Sequence, residues 1–247
     1  MQKNTLNEHL SELKKRILFC LIFLTVSFCF TYFASNEIYQ FLLKPLVNSL
    51  PNLENRRMIY TSPGEGFSTF VNLSFYSSLY ISLPFFLIQF YIFLSPGLYK
   101  KEKKIVLILF FFIPFLFLLG GIFSYYVLLP LTFKFLVSFE FQTPAISSQI
   151  PIQIEGKISE YLAFLKTIFF SFGFAFQLPI FLLFLIKGGF ITVRGLQNKR
   201  KFWVVAIFIF AAILTPPDVV SQVSLAIPML LLFEIAILIG KKIQTKI

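Results

Sequence analysis

Apolar residues gather in six long blocks, about 17–34, 67–94, 105–137, 158–186, 202–214 and 219–240, with most charged residues in the joints. A helix rises about 1.5 Å per residue and the hydrocarbon core of a bilayer is about 30 Å thick, so blocks of about 20 apolar residues read as crossing helices. Inside lipid no water competes for backbone hydrogen bonds, and a helix satisfies them within itself. The pattern therefore predicts an all-α polytopic membrane protein, one transmembrane domain over 1–247 with six spans.

The joints add detail. An amphipathic piece, 38–46, lies in the long connection 35–66, and a second long connection runs over 138–157. Pro84, Pro114, Pro130 and Pro179 interrupt the spans and should bend them, because proline lacks a backbone donor. Gly188-Gly189 closes the fourth span, and Thr215-Pro216-Pro217-Asp218 reads as a rigid turn whose Asp218 can cap the sixth helix. The fifth block has 13 residues, about 20 Å of helix. The sixth starts from the same turn, so both are expected to be too short for a bilayer of ordinary thickness, thinning it or sheltering behind the longer spans.

Charge orients the bundle. Lys and Arg number 22, of which four lie before the first span, four in 100–104, five in 187–201 and three in the C-terminal tail. These joints alternate with poorly basic ones, so the positive-inside rule puts both ends on the cytoplasmic side. The chain is 57% hydrophobic and 13% charged, more apolar surface than a soluble core of this length can hide. A net charge of +11 raises nucleic acid as a partner, but the charges sort by membrane side and form no face interleaved with exposed aromatics. Cys20 and Cys29, nine residues apart in the first span, cannot bridge each other and have no metal-ligand spacing. That block is followed by Ala34-Ser35-Asn36 and suits a span better than a cleavable leader.

Chemistry has few places to sit. With one histidine, His9, and no phosphate-loop, zinc-protease or nucleophile-elbow motif, neither an enzyme nor a cofactor site is indicated. Any work must draw on a gradient or a partner. Glu8 and Glu12 flank the first span on the basic side, and Glu102 stands among Lys100, Lys101, Lys103 and Lys104. They read either as solvated interfacial residues or as acceptors for a cationic ligand. In the second case guanidinium fits better than ammonium, because its planar fork pairs with a carboxylate. Glu234, inside the sixth block, is a functional candidate or a carboxyl bonded within the bundle. Gln177, deep in the fourth span, and Gln89, in the second, either satisfy a nearby carbonyl or bond a helix arriving from lipid. A solute transporter or channel of six spans is the alternative, and it would need more polar groups converging at mid-membrane than these.

Five segments, in order, resemble the TatC family of twin-arginine translocase subunits. They are His9-Leu10-Ser11-Glu12-Leu13-Lys14-Lys15-Arg16, Thr61-Ser62-Pro63-Gly64-Glu65-Gly66-Phe67, Pro96-Gly97-Leu98-Tyr99-Lys100-Lys101-Glu102, Phe172-Gly173-Phe174-Ala175-Phe176-Gln177-Leu178-Pro179 and Leu214-Thr215-Pro216-Pro217-Asp218 with its continuation to Gln222. The resemblance implies a concave, glove-like bundle, N-in and C-in, with short fifth and sixth helices. It implies binding of twin-arginine signal peptides of folded cargo at Glu12 and Glu102, with Lys14 in place of the family's usual arginine. It implies contacts from Gln177 and Glu234 to single-span partners of the TatA and possibly TatB type, an oligomer, and transport driven by the proton-motive force. The form of the motifs, with 36 phenylalanines, points to a mitochondrial or bacterial inner membrane rather than a plastid thylakoid.

Overall fold

A computed structural model describes residues 2–50, 57–94, 100–142, 156–187, 189–215 and 219–244, with side chains over 10–50, 57–93, 110–138, 156–187, 189–215 and 219–242. The helices are α1 (Gln2–Phe33), α2 (Ser35–Val47), α3 (Glu65–Leu94), α4 (Lys100–Phe123), α5 (Leu129–Gln142), α6 (Ile158–Ala175), α7 (Leu178–Lys187), α8 (Val193–Asn198), α9 (Arg200–Leu214) and α10 (Val219–Gln244). Among the described residues, five stretches are long and apolar enough to cross a membrane: Leu10–Phe33, Glu65–Phe93, Phe110–Ser138, Ile158–Lys187 and Val219–Lys242. A small β element joins the two long connections. Met58–Ile59 (β1) pairs in parallel with Gly156–Lys157 (β2), an addition to the all-α expectation.

The chain divides into two compact units, with one boundary at Pro114 inside α4. The first unit comprises residues 1–42 and 62–114 and is built on α1 packed against α3. Phe23 and Phe85 stack with ring centroids 4.2 Å apart. Thr31 and Ser74 exchange hydroxyl-to-carbonyl bonds of 2.9 and 3.4 Å, so polar groups hold the two helices where water is absent. On the α3 side, Phe90 and Tyr91 meet Phe110 of α4 at 5.9 and 5.4 Å.

The second unit comprises residues 43–61 and 115–247. Small residues let its backbones approach. A Cβ on Gly120 would lie 2.6 Å from the Phe172 carbonyl oxygen, and one on Gly173 would strike the Phe117 ring at 2.4 Å. Phe117 and Phe172 are themselves fully buried. The third span departs from α geometry beside Pro130, whereas α4 continues through Pro114. Pro130 has no N–H and its ring would clash with the carbonyl four residues back. The turn before it, Ser124–Leu128, widens to π geometry, and Leu129 N–H bonds the Ser124 carbonyl. The fourth span breaks at Phe176-Gln177, just before Pro179. It ends in a left-handed Gly189, φ +74°, whose neighbour Phe190 donates to the Leu185 carbonyl at 3.0 Å.

One length expectation fails. α9 is short, 15 residues or about 22 Å, but α10 has 26 residues and can cross. The reason lies in what faces it. α8, started by a Thr192 side-chain cap, buries Val193 and Leu196, and the last turns of α10 pack on α8 and α7. A Cβ on Gly240 would come within 2.8 Å of Ile186 and 3.1 Å of Val193. The extra turns of α10 cover α8, so a short partner in the hairpin does not shorten it.

Candidate functional site

The polar end of the first unit is assembled from α1 and α3. Glu12 and Arg16 lie one helical turn apart, the spacing at which side chains meet, and Arg16 Nη2 contacts Glu12 Oε1 at 3.1 Å. Arg16 Nη1 also donates to Gln89 Oε1 on α3, again at 3.1 Å. One planar guanidinium thus bridges a carboxylate and an amide oxygen on two helices, a geometry that a single ammonium point cannot copy. The Arg16 and Glu12 side chains are 26% and 35% exposed, so the cluster is reachable from outside.

Gln89 therefore meets neither sequence expectation. It binds a cation on a neighbouring helix of its own chain, not a local carbonyl and not a helix from lipid. In the sequence Arg16 is one of four N-terminal cations, and an acid followed four residues later by arginine is the spacing that marks it as the partner of Glu12. Lys14 is exposed and, two residues from Glu12, falls about 200° around α1, so it does not join the cluster. Glu102 occupies the first turn of α4, and its side chain lies outside the described residues. Glu65 begins α3, is buried, and accepts from Ser62 N–H at 3.3 Å, an N-terminal cap.

In the second unit, Gln177 Nε2 donates to the Gly173 carbonyl at 3.2 Å. That carbonyl loses its helical partner because Gln177 N–H turns to Phe174 instead. The side chain thus covers the carbonyl left open at the break before Pro179, a different carbonyl from the one the proline itself frees. Glu234 pairs with Arg200 Nη2 at 2.8 Å across α9 and α10, with side chains 46% and 51% exposed. It is bonded within the hairpin, through an arginine the sequence reading did not assign to it. Pro216, Pro217 and Asp218 lie outside the described residues. At the edge of that turn, Ser171 Oγ donates to the Leu214 carbonyl and Thr215 Oγ1 to the Ala211 carbonyl, so two of the last carbonyls of α9 have side-chain partners.

Residues 8–228 match the family described as Sec-independent protein translocase protein (TatC). Proteins named Sec-independent protein translocase protein TatC are similar to nearly the whole chain. The one from Rickettsia prowazekii is 40% identical over 99% of this chain and 96% of its own length. The one from Magnetococcus marinus is 39% identical over 99% and 87%, and the one from Escherichia coli K12 is 38% identical over 94% and 86%. A crystal structure of the twin-arginine translocase receptor TatC superposes with a TM-score of 0.71 at 33% identity, covering 94% of this chain and 98% of that one. A second, in the detergent DDM, gives 0.72 at 32%. With that match spanning most of its length, the chain belongs to the TatC family and is a multi-pass membrane component of the Sec-independent translocation machinery.

Proposed function

We propose that this protein is the receptor of the translocase, gripping the paired arginines of a cargo leader with Glu12 and Glu102 on the lysine-rich membrane face. The observation that carries the reading is that Glu12 already holds a guanidinium in its own structure, so the carboxylate is oriented and accessible for that group. Gln89 and Phe90 on α3 link this cluster to α4, on which Glu102 lies about 12 Å of helix before Phe110. Lys14 supplies a nearby charge that disfavours cations unable to reach a carboxylate directly. Six spans, with α9 as the stunted fifth and both chain ends on the cytoplasmic side, fit the charge pattern. Gln177 and Glu234 face single-span partners of the TatA or TatB type, which complete an oligomer driven by the proton-motive force.

The test is cross-linking of a twin-arginine leader peptide to the membrane-inserted protein. Glu12→Ala or Glu102→Ala abolishes the adduct while insertion is unchanged. Full-strength adducts in both variants rule out the docking arrangement. Gln177→Leu should reduce co-purification of a single-span partner and spare peptide binding. Unchanged partner recovery would leave the amide with its backbone role alone.

A further inference from the structure

Glu12 is occupied by the chain's own arginine. Arg16 presents two nitrogens to two acceptors, Glu12 Oε1 and Gln89 Oε1, both at 3.1 Å. A leader arginine approaching Glu12 finds the place filled by the same chemical group. The resident contact is weak, because partly exposed pairs four residues apart on a helix contribute little and break readily. A ligand that offers the same fork plus a second cation can displace it.

We infer that leader docking is an exchange, in which one leader guanidinium takes the place of Arg16 between Glu12 and Gln89. The inference rests on the docking role of Glu12. Arg16, once released, has a four-bond stem long enough to reach headgroup phosphates at the basic membrane surface. Gln89 then becomes a specificity-determining residue. Its amide oxygen accepts the second nitrogen of an arginine, and a lysine at the same leader position satisfies only the carboxylate. The resident arginine also keeps the idle site locally neutral, so stray lysine-rich segments gain nothing there.

The experiment measures binding of a fluorescent synthetic leader peptide, in Arg-Arg and Lys-Lys forms, to the full-length protein in lipid nanodiscs. Size-exclusion homogeneity serves as the folding check. Arg16→Gln is expected to tighten the Arg-Arg peptide about tenfold, and Arg16→Lys, which keeps the charge but loses the fork, about threefold. Lys15→Gln removes the same charge from a neighbouring exposed position and should change affinity less than about twofold. Gln89→Leu should narrow the preference for Arg-Arg over Lys-Lys by at least about threefold. If both Arg16 variants bind like the parent or more weakly, while Glu12→Gln loses binding, the exchange is wrong and Arg16 only staples α1 to α3. If Glu12→Gln binds at full strength, the docking reading itself falls.

Discussion

The two units hold their helices together by different means, and the difference separates recognition from scaffolding. In the crossing stretch of α1 only 6% of the most apolar window is buried, against 44% for the fourth stretch, Ile158–Lys187. Among the contacts that join α1 to α3 are the Phe23–Phe85 stack, the Thr31–Ser74 hydroxyl exchange and the Arg16–Gln89 bond. The second unit is closed by glycines that meet the Phe172 backbone at Gly120 and side chains at Gly173 and Gly240, and by fully buried phenylalanines. A helix with one packed face and a polar end can rearrange its side chains to receive a ligand. A bundle whose backbones touch cannot, because any added atom must move a helix. Each unit also has its own arginine–glutamate pair. The first lies within one helix and forms as that helix forms, whereas the second ties α9 to α10.

The sharpest way to break this comparison is to burden the tight unit. Gly120→Leu drives a side chain into the Phe172 carbonyl and is expected to cost about 3 kcal/mol or more, seen as loss of monodisperse protein on solubilisation. Normal recovery would mean that the close approach is not structural. A smaller effect follows from the second ion pair. Glu234→Gln should lower thermal stability by about 1 kcal/mol and leave leader affinity within about twofold, by thermal melting and peptide titration. A large loss of leader binding would mean that the hairpin belongs to the recognition site. Least severe is Thr31→Val, which removes the hydroxyl from the α1–α3 contact for about 0.5–1 kcal/mol, read by the same melt. An effect as large as that of Gly120→Leu would show that the first unit is as rigid as the second.

Much of this was legible in the chain. The apolar blocks located the five long stretches, and Pro130, Pro179 and Gly189 fall where helical geometry changes, whereas α3 and α4 run unbroken through Pro84 and Pro114. Length failed at α10, since block length ignores the neighbour, and α8 provides one that the hydrophobic pattern does not announce. The acids Glu12, Glu102 and Glu234 stood out by rarity. Arg16 and Arg200, which pair with Glu12 and Glu234, did not, because each sits among other cations, and only geometry tells a partner from an orientation signal. Gln89 shows the same limit. A half-buried amide within a span advertises a hydrogen bond, and the chain alone does not say with whom.

The central claim is that Glu12 touches a leader guanidinium. A double-mutant cycle tests it most directly, combining Glu12→Gln in the full-length protein with Arg→Gln at each leader arginine in turn and reading peptide affinity in nanodiscs. The account predicts that each single change weakens binding at least about tenfold and that, for one of the two arginines, the double change costs no more than either alone. Additive losses for both arginines, within about 0.5 kcal/mol, would contradict it.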